Sequence, residues 1–275
     1  MPDWLVWPGL VVLGVGVGAY GTMIGAGGGF VLVPVLLLLY PDDSPELITS
    51  ISLAVVFFNA LSGTTAYVRQ RRVDFLAANA FALATVPGAI GGAFAVRVLP
   101  RGVFDVIFAV LLVAVSLFLM FRPAARMVQR RHRRGEITRM LTDASGDTYV
   151  YSFNLLTGIT LSLLVGFLSS LMGIGGGILH VPIMVQLLLF PVHIATATSH
   201  YVLTISALTG TIVHLIAGDL DGGYQRTAAL AVGVLIGAQI GARLSVLMAG
   251  SSVLRLLAVA LAAVALRLLA GSLLG

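Results

Sequence analysis

The sequence predicts an all-α polytopic membrane protein made of two homologous four-segment halves, each opening with a broken or re-entrant Gly-rich helix pair. Three observations predict it. Hydrophobic residues make up 59% of the 275-residue chain and charged residues 10%, with a mean hydropathy of +1.05. A soluble domain could not cover that much apolar surface. A glycine-rich element occurs twice: Gly25-Ala26-Gly27-Gly28-Gly29 followed by Val33-Pro34, and Gly173-Ile174-Gly175-Gly176-Gly177 followed by Val181-Pro182. Further pairs then keep nearly the same spacing. Thr49-Ser50 matches Thr198-Ser199, Leu61-Ser62-Gly63-Thr64 matches Leu208-Thr209-Gly210-Thr211, and Val73-Asp74 matches Leu220-Asp221. Pro87-Gly88-Ala89 with Gly92-Ala93 matches Ile236-Gly237-Ala238 with Gly241-Ala242. Ordered matches at one offset, 147 to 149 residues, mark an internal duplication.

In chain order, the apolar segments run roughly over 5–40, 47–68, 75–97, 102–121, 153–190, 194–217, 226–248 and 252–271. The first and fifth are too long for one straight pass. Glycine costs about 1 kcal/mol relative to alanine inside a helix, so each should break at its glycines. A break at bilayer depth frees backbone groups that lipid cannot satisfy, and it must face protein or a water-filled cavity. The first segment lacks a basic lead and a cleavage site and is expected to be retained. Residues 1–121 read as the first repeat and 153–275 as the second. Between them, 122–152 reads as a basic cytoplasmic linker, too short to bury a core. It is rich in arginine at first (Arg122, Arg126, Arg130, Arg131, Arg133, Arg134, Arg139) and polar later.

Arginines set the orientation. The linker and the Arg69-Gln70-Arg71-Arg72 loop should be cytoplasmic, and the acidic Asp42-Asp43-Ser44-Pro45-Glu46 loop external. The counterpart of the basic loop in the second half is Gly218-Asp219-Leu220-Asp221. Opposite charge at equivalent loops favours inverted repeats with both termini outside. Eight plain spans with parallel halves are the alternative, and Arg267 near the C-terminus favours them weakly.

Composition also excludes functions. The basic charge of +5 does not imply nucleic acid, because seven arginines sit in the linker region. There is no Cys and no Lys, so disulfides, thiolate chemistry and a Walker A nucleotide site are ruled out. Gly16-x-Gly18-x-x-Gly21 matches a dinucleotide fingerprint but lacks the βαβ context and is rejected. No catalytic residue set, cofactor or metal site is implied.

A broken helix presents the N–H groups of its second half, carrying roughly half a positive charge. Glycines let a ligand approach them closely. Gly25, Gly27, Gly28, Gly29, Gly173, Gly175, Gly176 and Gly177 are therefore candidate substrate-binding residues, with close helix packing as the competing role. Thr49, Ser50, Thr198 and Ser199 stand at expected helix N-termini, as caps or as part of the ligand shell. Arg243 either pairs with an anion or snorkels. His193, His200 and His214 fall within about 40° of one helical face, joined by His180. They form a proton relay, a weak metal path or ordinary hydrogen-bonded histidines. No Asp or Glu sits deep in a segment, so a coupling proton would have to use histidine or the substrate.

The paired G-x-G-G-G-x-x-x-V-P elements, the Thr-Ser pairs and the Gly-Ala-x-x-Gly-Ala segments resemble the sulfite exporter TauE/SafE family over roughly residues 14–121 and 157–270. His180 departs from the family pattern, which is usually aliphatic there. The resemblance implies a multi-pass transporter in a bacterial or archaeal inner membrane. It would export sulfite or an organosulfonate by alternating access, with a small anionic substrate and the lipid bilayer as partners. Nucleic acid is excluded and a homodimer left open. A transporter or channel for another solute, such as a metal cation, is the second reading, and a membrane enzyme or assembly subunit the third.

Overall fold

A computed structural model describes residues 3–121 and 135–248, with residues 252, 255 and 259. The arginine-rich first part of the linker and most of the expected eighth segment lie outside the described residues.

The first expected segment is two helices, α1 (Asp3–Met23) and α2 (Gly29–Leu39), and the fifth is likewise α6 (Leu155–Met172) and α7 (Gly177–Gln186). The breaks fall at the glycines because six of them adopt positive φ: Gly25 and Gly173, Gly27 and Gly175, Gly28 and Gly176. A side chain in that region clashes with the following carbonyl. Gly28 and Gly176 are the residues from which α2 and α7 start. At 11 and 10 residues, those helices reach about 16 Å, half the thickness of a bilayer core.

The remaining helices are α3 (Pro45–Arg69), α4 (Phe75–Val96), α5 (Arg101–Phe121), α8 (Val192–Ala217) and α9 (Tyr224–Val246). Ser44 caps α3, ahead of Pro45 and Glu46 in the first turn. Asp74 caps α4 and Asn154 caps α6. Among the described residues, α1, α3, α4, α6, α8 and α9 are six helices long and apolar enough to cross a membrane.

Packing is reciprocal between the halves: α1 lies on α9, α6 on α4, and α3 on α8 at the centre. Gly233, Gly237 and Gly241 of α9 stand against Val11, Val15 and Ala19 of α1 in the same order, so these two helices run parallel. Gly88 and Gly92 of α4 stand likewise against Leu163 and Phe167 of α6. A methyl group on Gly92 would lie 2.2 Å from the Phe167 carbonyl oxygen. The expected Gly-Ala-x-x-Gly-Ala segments are thus close-packing stripes of the small-xxx-small kind. By contrast α3 and α8 run antiparallel, since Gly210 meets Leu53 while Gly63 meets His200.

One departure from an all-α fold appears in the linker. Glu136–Thr142 (β1) and Thr148–Asn154 (β2) pair as an antiparallel hairpin. Tyr149, Tyr151 and Phe153 alternate with the more exposed Thr148, Val150 and Ser152, which carries the strand period. The hairpin is docked rather than loose. Asp143 pairs with Arg72 at 2.9 Å with both side chains buried, and Tyr151 and Phe153 pack on Phe190. Tyr151 also donates to Asp74 (2.6 Å), and so does Arg139 (3.1 Å).

Candidate functional site

Both glycine elements are buried throughout, and they meet. A methyl group on Gly29 would stand 2.8 Å from the Gly173 carbonyl oxygen, and one on Gly177 would stand 2.5 Å from that of Gly25. The first N–H groups of an α-helix have no intrahelical acceptor, and neither Gly28 nor Gly176 supplies a side-chain cap. Two uncapped helix N-termini therefore converge at the contact between the halves. Val56 of α3 and Leu203 of α8 close over Gly27 and Gly175 from the central helix pair.

The polar side chains that hold the breaks are neutral. Ser52 donates to the Gly173 carbonyl (2.6 Å), Ser199 to that of Gly25 (3.4 Å) and Asn59 to that of Gly27 (3.0 Å). Each satisfies a carbonyl released by a break and contributes about 1 kcal/mol.

Of the serines and threonines singled out in the sequence, only Ser199 bonds a motif backbone. Thr49 and Ser50 lie in the second turn of α3, not at its cap, and their hydroxyls turn back to helix carbonyls. Ser50 also reaches the Asp219 carbonyl at 3.2 Å. Thr198 accepts from the Asp74 backbone N–H at 3.1 Å, at the hairpin face. The capping role goes to Ser44 in α3, and α8 starts after Pro191. Arg243, in the last turn of α9, is exposed and is not brought into this buried set.

The register of the repeat also changes in these helices. Ser52 and Ser199 play the same role on opposite breaks, and Thr49 and Thr196 flank Gly173 and Gly25. The equivalent pairs are therefore Thr49 with Thr196 and Ser52 with Ser199, not Thr49-Ser50 with Thr198-Ser199. Asn59, whose counterpart is Ser206, carried no repeat signal, while Ser52 and Thr196 were missed for that reason. The offset of Leu61 to Leu208, held constant back along both segments, would have found them.

The histidines disperse. His180 bonds Ser162 at 2.9 Å, His214 bonds Asp219 at 2.8 Å, and His200 bonds Thr22 at 3.3 Å. Among the described residues no group of three or more His, Cys, Asp or Glu is placed to hold a metal ion. An apolar groove of about 380 Å³ between α3, α8 and α9 is lined by residues including Phe57, Phe58, Ile212 and Tyr224, and by no residue of the two glycine elements.

Broken helices meeting between packed repeats define a polytopic membrane transporter. The family model for the sulfite exporter TauE/SafE matches residues 10–268, and the chain belongs to that family. It is 37% identical to the probable membrane transporter protein YunE of Bacillus subtilis over 86% of this chain and 87% of that one. A probable membrane transporter protein of Sinorhizobium is 26% identical over 90% of this chain and 86% of its own. One of Methanocaldococcus jannaschii is 25% identical over 78% and 74%. No solved structure matches at a significant level. The chain is accordingly a multi-pass plasma-membrane transporter and not an enzyme.

Proposed function

We propose that the chain exports a small anion, sulfite or an organosulfonate, by alternating access, and that the solute binds where α2 and α7 begin. The observation that carries this reading is the convergence of two uncapped, buried helix N-termini. Positive helix ends and free N–H groups favour an oxyanion, which accepts several hydrogen bonds at once. The side chains that bond the motif carbonyls are neutral, so among the described residues no carboxylate joins them to attract a cation. The family description, sulfite exporter, supplies the solute class.

In this reading residues 1–121 and 153–275 are the two repeats and insert in opposite senses, joined by a cytoplasmic linker. The antiparallel run of α3 and α8, which are equivalent helices, supports inversion. The parallel run of α1 with α9 recurs as that of α6 with α4, as exchange of the two halves requires. The ends of α3 and α8 would then slide against each other to open the glycine contact to alternate sides.

The test is flux in reconstituted liposomes with a panel of sulfite, methanesulfonate, chloride, a neutral sulfone and divalent metal ions. Saturable movement of the first two is the expected result. Saturable metal flux with no anion movement would decide for a cation transporter.

A further inference from the structure

Resting on that reading of the glycine site, we propose that His200 binds the proton that travels with the anion, at its Nδ1 atom. The hydrogen-bond directions fix which nitrogen is free. Asn59 spends its amide N–H on the Gly27 carbonyl (3.0 Å), so its Oδ1 faces Thr22. Thr22 spends its single hydrogen on that Oδ1 (3.1 Å). The Thr22 hydroxyl can then only accept from His200 Nε2, 3.3 Å away. Neutral His200 therefore carries its hydrogen on Nε2, and its basic lone pair is on Nδ1.

That atom is buried without a hydrogen-bond partner. The Thr196 carbonyl, one turn earlier in α8, is within reach of the ring, and it accepts once Nδ1 carries a proton. The fold makes room for this ring: a methyl group on Gly63 would lie 2.7 Å from His200 Cδ2. In the other half the equivalent position is Leu53, so among the described residues the chain His200–Thr22–Asn59–Gly27 exists once.

Few other charges face the ring. From α3 comes Tyr67, edge-on at 5.3 Å, whose hydroxyl donates to the Thr22 carbonyl. The start of α4 meets α8 at Thr198, and the Asp74 carboxylate there is already bound by Arg139 and Tyr151. On α7, His180 is turned to Ser162. Among the described residues of α1 and α9, the groups in this chain are the neutral Thr22 and Ser245. A proton on Nδ1 thus places a positive charge two hydrogen-bonded side chains from Gly27 that no neighbouring acid cancels, and an anion at the helix ends offsets it. Proton and anion share the site and move in the same direction; the proton enters and leaves by the same nitrogen, with no other bond changed.

The experiment uses methanesulfonate, whose charge is constant over this range, in liposomes containing the full chain. Wild type should show counterflow, and acidifying the compartment that holds the solute should accelerate net flux at least tenfold. His200→Gln should keep counterflow and lose that acceleration; acceleration preserved in the variant overturns the proposal. In parallel, ¹⁵N-histidine spectra of wild type against His200→Gln should show a resonance with bare Nδ1 that takes up a proton on acidification. If wild type moves no methanesulfonate, the anion reading fails while the spectra still decide His200. A Nδ1 that never protonates between pH 4 and 8 overturns the proposal on its own.

Discussion

Gly27 and Gly175 hold φ at +73° and +75°, and the space a methyl would need is taken. It would lie 2.3 Å from Leu203 Cδ2 in one case and 2.3 Å from Val56 Cγ1 in the other. The backbone strain alone costs about 1–2 kcal/mol, and the clash falls on the central helix pair α3 and α8. Gly27→Leu and Gly175→Leu should each abolish solute flux while leaving membrane insertion intact, since insertion depends on the apolar spans. Gly16 is the control. It lies inside α1, and a methyl group there would meet nothing within 4 Å. Gly16→Ala should therefore leave flux unchanged and raise stability by up to about 1 kcal/mol. Flux and thermal denaturation of the three variants, measured together, separate a functional break from a packing glycine. Full flux through Gly27→Leu would reduce that residue to packing.

At the level of elements, the hairpin is the part that ties the linker to the transmembrane helices. Its Asp143 is buried, which opposes ionisation, but the Arg72 guanidinium and the Ser145 and Asp147 backbone N–H groups win and hold the carboxyl below the usual carboxylate range. A depressed folded value means the stabilisation is complete above the ordinary value of about 3.9 and is lost as pH falls through the folded one. Hydrogen exchange over residues 136–154 should therefore be slow at neutral pH and speed up only in strong acid. Asp143→Ala leaves Arg72 buried without its partner, a loss of about 3–5 kcal/mol, and should release that protection at pH 7. Unchanged exchange in the variant would mean that the aromatic contacts with Phe190 hold the hairpin alone. Burial and the bond to Asp74 push the Tyr151 phenol up, so Tyr151 stays a donor across this whole range. Tyr151→Phe should loosen the same segment more weakly, by about 1 kcal/mol.

For the whole molecule, topology is the property with the widest consequence. The chain has no cysteine, so Pro2→Cys, Ser145→Cys and Leu274→Cys each introduce a unique label. Ser145 is exposed at the hairpin turn. If the halves are inverted and the linker is cytoplasmic, an impermeant maleimide added outside intact cells should label positions 2 and 274 and spare 145. Sparing of all three positions from outside would restore the eight-span parallel arrangement. The charge distribution agrees with two unlike faces. Arg72, Arg139, Asp74 and Asp143 gather at the hairpin face, while Arg226 with Asp43 and Arg97 with Asp219 bridge loops at the other ends of these helices.

The sequence alone determined that this is a helical membrane protein, duplicated, broken at two glycine elements, and a member of its family. Those properties are local or periodic: apolar length, glycine runs and a repeat offset need no knowledge of what touches what. The hairpin was hidden because the linker's charge and length suggested a loose segment, and its short period-two run is a weak signal beside eight apolar stretches. The site was legible only in part. Glycines declare themselves by their backbone freedom, but Ser52 and Asn59 look like any serine or asparagine until a released carbonyl is placed opposite them. A repeat slipped by two residues was enough to name Thr198 and Ser50 instead, because on a helix two positions turn a side chain by about 200°. Only the tertiary structure decided which hydroxyls face the breaks, that Arg243 faces outward, and that His200 is linked to Gly27 through Thr22 and Asn59. Each depends on which helices pack across the two halves, and that pairing is set by contacts between residues far apart in the chain.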